Sequence, residues 1–196
     1  VVFVMLTGSA IAIPWEDENI PAIINAWYGG QAAGTAIADV LFGDYNPAGR
    51  LPVTFYKSDT DLPGFSEYSM GNRTYRYFKG DALYPFGYGL SYTTFNYSKI
   101  NAPASITAGK KVTISTVVKN TGRKDGEEVI QLYLVHQNAK GTAPLKVLKG
   151  FKRIALRAGE SKNISFTLTP EDLSLVSEDG KLYQPKGKIT ISIGGG

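Results

Sequence analysis

The apolar positions of this chain change rhythm along its length. The first six residues, Val1 to Leu6, are apolar without a break. Such a run is too short to span a membrane and is the pattern of a strand that a parallel sheet buries on both faces. A polar turn, PWEDEN, leads into IPAIINAWY, which predicts a second strand or a short helix joined to one. Between 31 and 42 the period becomes helical. Ala33, Ala36, Ile37, Val40 and Leu41 follow i, i+3, i+4, i+7 and i+8, with Gln31, Thr35 and Asp39 off the stripe. Gly43 is placed to take the left-handed conformation that ends a helix, and YNPAGRLP after it is turn chemistry. Strand, glycine turn and helix in series predict an α/β layer.

Residues 56–96 lose periodicity and are rich in Tyr, Phe, Gly and Pro, ending in YPFGYGLSYTTF. A stretch of that length without clear elements is functional or packs against something else. From Tyr97 onward the period is two. Val112, Ile114, Thr116 and Val118 share a face; so do Ile130, Leu132 and Leu134; so do Ile164, Phe166 and Leu168; so do Ile189, Ile191 and Ile193. The clusters NTGRKDGE, RAGES and EDG separate these runs. Several short alternating strands within about 100 residues predict a β-sandwich. The divisions expected are 1–55, an α/β piece; 56–96, an aromatic-rich linker; and 97–196, the sandwich.

Charge supports two dissimilar halves. Residues 1–96 hold 5 Lys and Arg against 9 Asp and Glu, whereas 97–196 hold 16 against 8. A basic second half raises the question of nucleic acid. Lysines on the solvent faces and edges of a β domain account for it more simply. LKGFKRIAL opens like an RNA-binding signature, but Lys152 sits where that signature needs a small residue, so no nucleic-acid partner is expected. There is no cysteine, hence no disulfide framework or thiolate metal site. The single histidine, His136, excludes a multi-histidine centre and reads as a strand-end residue. Neither a metal nor a cofactor is expected. The apolar start has neither an initiator Met nor a basic segment, so it reads neither as a signal peptide nor as a membrane segment.

The glycines of WYGGQAAGTAIADVLFG invite a nucleotide reading, which fails on inspection. Gly29 and Gly34 have the spacing of a phosphate-binding loop, but Thr35 follows where that loop needs lysine, and no lysine precedes Arg50. Glycine and alanine there are expected to let helix and sheet approach closely, with Gly29–Gly30 making a sharp turn. Trp15 beside Glu16, Asp17 and Glu18 has the composition of a sugar site. Glycosidase carboxylates, however, flank one bond from two sides, roughly 5–9 Å apart, and sequence neighbours diverge. The acidic trio is therefore expected to be a solvated turn, and Trp15 and Trp27 to be core or interface residues. Asn72, Asn96 and Asn163 head Asn-x-Ser/Thr sequons, meaningful only in a glycosylating secretory route.

Three long strings are more specific. GQAAGTAIADVLFGDYNPAGRLPVTFY (30–56), NRTYRYFKGDALYPFGYGLSYTTFNYS (72–98) and PLKVLKGFKRIALRAGESKNISFTLTPEDLSLV (144–176) together resemble the C-terminal portion of glycoside hydrolase family 3, the β-glucosidases, β-xylosidases and related exo-acting enzymes. NRTYRYFKG is more similar to the β-xylosidase branch.

The resemblance implies the C-terminal part of an α/β-sandwich domain followed by a fibronectin-III-like, immunoglobulin-like β-sandwich. It also implies a barrel carrying an aspartate nucleophile and a segment carrying the general-acid glutamate, both ahead of the residue matched by Val1. No catalytic, cofactor or metal residue of this chain is therefore carried over. The partners implied are an oligosaccharide substrate, met through the full-length enzyme, and the N-terminal barrel of the same protein; no membrane partner is implied. The resemblance favours a periplasmic or extracellular setting. An α/β piece with one or two strands leaves apolar surface open. Folding-back of the sandwich and aromatic segment, or self-association, would cover it. The alternative is a non-catalytic carbohydrate-binding or interaction module that holds polysaccharide through the aromatic segment, with Tyr84 and Tyr88 as the residues to test, or through a face of the sandwich.

Overall fold

The computed structural model describes residues 1–137, 139 and 143–195. The chain divides into two units, Val1–Leu90 and Ser91–Gly196.

In the first unit, Phe3–Met5 (β1) and Ile23–Asn25 (β2) pair in parallel, with Phe3 opposite Ile23 and Met5 opposite Asn25. Their crossover carries a helix, Pro14–Asn19 (α1), where the sequence predicted only a polar turn. Pro14 opens it with a backbone angle already suited to a helix, and Glu16 and Asp17 complement the positive end of the helix dipole. Ala33–Phe42 (α2) ends as expected: Gly43 takes φ 85° and donates its N–H to Val40 O.

The apolar hexapeptide departs from expectation. Only Met5 is buried; Val1, Val2 and Leu6 are exposed. A two-stranded ribbon has too few neighbours to cover both faces of β1. The α2 stripe departs too, since Ala36 and Leu41 face out and the helix buries none of its residues.

The unit's core is Met5, Ile13 and Phe55, with Phe3, Ile23, Trp27, Leu51, Leu83 and Tyr84 packed around it. Residues 51–55 and 83–88 run side by side in antiparallel sense. Phe55 N–H donates to Tyr84 O at 2.9 Å, Leu51 N–H to Tyr88 O at 2.8 Å, and Gly87 N–H to Leu51 O at 2.8 Å. Much of the aromatic segment thus serves the first unit. Gly87 turns there with φ 87°, and a side chain on Gly89 would strike the carbonyl of Gly49 at 2.2 Å.

In the second unit, Phe95–Tyr97 (β3), Val112–Asn120 (β4) and Ser161–Leu168 (β7) form one antiparallel sheet in the order β3-β4-β7. Gly126–His136 (β5), Val147–Leu156 (β6) and Ile189–Gly194 (β10) form another in the order β10-β5-β6. Leu175–Val176 (β8) and Leu182–Tyr183 (β9) make a small hairpin. The alternating residues point where period two requires. Val112, Ile114, Val118, Ile130, Leu132, Leu134, Ile164, Phe166 and Leu168 are all buried in one core with Leu156 and Leu173. β5 carries a register shift between Leu132 and Tyr133, where it pairs with β6. Gly150 lies nearby, and a Cβ there would meet the Phe166 ring at 2.8 Å.

Asn120, fully buried, closes one end of this core. Its amide nitrogen donates to the carbonyls of Lys124 (2.8 Å) and Leu156 (3.1 Å), and its oxygen accepts from Thr93 Oγ1 (2.6 Å) and Gly122 N–H (3.1 Å). One side chain thereby ties the end of β4 to the end of β6 and to the segment that enters β3.

Candidate functional site

The acidic trio that a sugar reading would single out lies on α1. Successive helical residues are separated by about 100°, so Glu16, Asp17 and Glu18 fan outward. Glu16 is half-buried, whereas Asp17 and Glu18 are exposed. Asp17 is the member that acquires a partner. The Tyr84 hydroxyl donates to its Oδ1 at 2.5 Å, across 67 positions of sequence. Burial first, and the Asp17 carboxylate second, push the Tyr84 phenol well above its ordinary range, so it stays a proton donor.

Behind that bond lies a row of rings. Tyr88 stacks on Tyr84 (5.4 Å between centroids, 19° between planes), Phe55 meets Tyr84 edge-on at 6.0 Å, and Trp27 meets Phe55 edge-on at 6.3 Å. Trp27 is a packed residue, as the sequence implied, whereas Trp15 is 64% exposed. Tyr88 covers one face of Tyr84 and Phe55 meets it edge-on, which disfavours it as an open sugar platform. The site offers one hydrogen-bonded carboxylate and one phenol. Among the described residues no group of three or more His, Asp or Glu could hold a metal ion.

The glycine stretch divides into unlike parts. A Cβ on Gly29 would lie 2.4 Å from the Ala33 Cβ, so Gly29 permits close approach at the start of α2. Gly30 and Gly34 face open space, which corrects the expectation that these glycines also serve close packing. The left-handed residue before the helix is Trp27, with φ 53°. Its N–H lies 3.4 Å from the Asn25 Oδ1 that accepts it.

A second feature was not legible in sequence. Leu62 to Met70 form an exposed loop following a short 3-10 turn, Asp59–Asp61, that Ser58 caps. One guanidinium nitrogen holds the loop: Arg73 Nη2 donates to the carbonyls of Pro63 (3.4 Å), Gly64 (3.0 Å) and Glu67 (3.0 Å). Asn72 Nδ2 donates to Asp61 O at 3.2 Å, and Asn72 Oδ1 accepts from Lys79 N–H at 3.3 Å. Ser69 N–H donates to Glu67 Oε1, holding that carboxyl below its usual range with help from Arg73. Asn72 (φ 56°) and Thr74 (φ 55°) flank Arg73 in the left-handed region, which is costly for a β-branched residue. Thr74, the first residue of the short helix Thr74–Tyr77 (α3), is fixed there by donating its N–H to the Tyr56 hydroxyl at 2.8 Å.

The remaining candidates fall singly. His136 ends β5, where burial and then Lys149 push its imidazole below the ordinary range. Asn96 and Asn163 are exposed on β3 and β7, whereas the Asn72 amide is engaged as described. Lys152, of the basic LKGFKRIAL string, lies over the Phe166 ring at 5.4 Å within the sandwich.

Comparison with known proteins places these features. The model of the glycosyl hydrolase family 3 C-terminal domain matches residues 1–92, and that of a fibronectin type III-like domain matches 128–196. The chain is 49% identical to a xylan 1,4-beta-xylosidase of Xylanibacter ruminicola, over 99% of this chain and 22% of that protein. It is 41% identical to a beta-xylosidase of Formosa agariphila, over 99% of this chain and 28% of that protein. A solved β-glucosidase from Erythrobacter marinus superimposes with a TM-score of 0.86 at 40% identity, covering 98% of this chain and 26% of that one. The chain spans about a quarter of the length of these relatives.

Proposed function

We propose, for a chain that belongs to glycoside hydrolase family 3 as its C-terminal part, a structural role in a retaining exo-β-glycosidase that removes terminal β-linked sugars. β-Xylosides are favoured over β-glucosides. The observation that carries this is the 49% identity to a xylan 1,4-beta-xylosidase along nearly all of this chain. Hydrolysis would run by double displacement: one carboxylate attacks the anomeric carbon, another protonates the leaving oxygen, and water then releases the sugar.

Both carboxylates are assigned to the region ahead of Val1. The local chemistry supports that assignment. Glu16, Asp17 and Glu18 diverge from one short helix, and the Asp17 oxygen that accepts the Tyr84 hydroxyl is committed to holding the fold. The contribution of these 196 residues is a wall and a clamp for the catalytic domains. The test is turnover of 4-nitrophenyl β-xyloside. The full-length polypeptide should hydrolyse it with a higher kcat/KM than the β-glucoside, and these 196 residues alone should not. Activity of the short chain that disappears with Glu16→Gln would overturn the assignment.

A further inference from the structure

The loop held by Arg73 presents apolar side chains to water. Phe65 is 99% exposed and Tyr68 is 89% exposed, with Leu62 and Met70 exposed beside them in sequence. None of the hydrogen bonds that shape the loop comes from these four side chains. Its path is set by the Arg73 guanidinium, the Asn72 amide, the Ser58 cap and the Glu67–Ser69 bond. Two residues in left-handed conformation flank the clamp. Backbone strain of this kind persists where surrounding bonds over-determine it, and it clusters at clamps and binding loops. A loop fixed in advance loses little freedom when it binds, so its exposed side chains are ready anchors.

We infer that Leu62–Met70 is a docking finger whose Phe65 and Tyr68 seat in an apolar recess of the catalytic region of the same polypeptide. The inference rests on the reading of this chain as one part of a larger glycosidase. Composition chooses the occupant. Aromatic residues and methionine are enriched at protein interfaces, and buried aromatics serve as their anchors. A sugar would need side-chain donors and acceptors aimed outward beside the rings. Here the guanidinium of Arg73 is spent on the loop backbone and the amide of Asn72 on the flanking backbone of Asp61 and Lys79. The relatives supply the room, since about three quarters of their length lies outside the part matched here.

Hydroxyl-radical footprinting of the full-length polypeptide tests this, with the urea-unfolded protein as the exposed reference. Phe65, Tyr68 and Met70 should oxidise at least tenfold more slowly in the native protein. The double variant F65S/Y68S should lower the full-length melting temperature while far-UV circular dichroism stays unchanged. Native oxidation at the unfolded rate overturns the inference. So does protection lost on dilution, which assigns the finger to a second copy, or protection that appears only with added xylo-oligosaccharide, which assigns it to substrate. The glycosidase assay is read separately: protection without hydrolysis would sink the functional reading and leave the docking finger standing.

Discussion

The two units reach order by different routes. Among the described residues, 11 buried residues form one core in the sandwich; in the first unit the corresponding cluster has three, Met5, Ile13 and Phe55. The first unit relies instead on polar connections across long stretches of sequence: the ribbon of 51–55 with 83–88, the Tyr84–Asp17 bond and the Arg73 clamp. It also carries the blemishes. Among the described residues, the buried side-chain atoms without a hydrogen-bond partner are Asn25 Nδ2, Thr54 Oγ1 and Arg76 Nε, and all three belong to it. Val1, Tyr28, Phe42, Phe65 and Tyr68 stand largely in water. Hydrophobic closure makes the sandwich tolerant of its surroundings. A unit ordered by hydrogen bonds with its apolar surface outward has the composition of a part made to be covered.

Substitutions can break this contrast, the deepest first. Leu132→Ala, at a fully buried position of β5, should cost about 2–5 kcal/mol in urea denaturation followed by far-UV circular dichroism. A loss under about 1 kcal/mol would mean the sandwich core is looser than its burial indicates. Asn120→Ala should cost about 3 kcal/mol, because two carbonyls, a threonine hydroxyl and an N–H lose their partner together. Amide exchange should then rise first at Gly122.

Tyr84→Phe removes a hydrogen bond from the first unit and should cost about 1 kcal/mol there, leaving the sandwich untouched. The phenol also sets a pH dependence. Its folded pKa lies above the unfolded value, so its contribution is complete below about pH 10 and is lost as pH rises through the folded value. Titration of stability above about pH 10 should show this loss in the parent and not in Tyr84→Phe. Smallest of all, Phe42→Ala on the outer side of α2 should change the stability of this chain by under about 0.5 kcal/mol, since 84% of Phe42 is already solvated. In the full-length polypeptide a larger loss is expected, and equality of the two would argue that α2 stays uncovered.

What the sequence disclosed follows the same division. The strands of the sandwich were legible because Ile114, Leu132 and Phe166 obey period two and their burial follows from it. β6 hid because two of its inward positions are Gly150 and Lys152. One must be small beneath Phe166, and the other covers that ring with its ammonium. α1 hid because six residues are too few for a period, although Pro14 marked its first turn. The strand expected over Val1–Leu6 shrank to Phe3–Met5, since apolar composition records what a residue would bury against, and only β2 is beside it. At the site, Trp27 could be read as a packed ring. The partnership of Asp17 with Tyr84 could not, because local sequence carries no record of a contact 67 residues away. Arg73 escaped for a related reason: its role depends on left-handed backbone at Asn72, which asparagine tolerates, and at Thr74, which a β-branched residue disfavours.

Both tryptophans of this protein, Trp15 and Trp27, lie in the first unit. Their ultraviolet emission is therefore a private channel to that half. Trp27, against Phe55, should emit toward the blue and resist acrylamide, while Trp15 should emit toward the red and quench readily. A sample whose β-sandwich had melted could still glow as though intact, so the light of this molecule speaks for one half and is silent about the other.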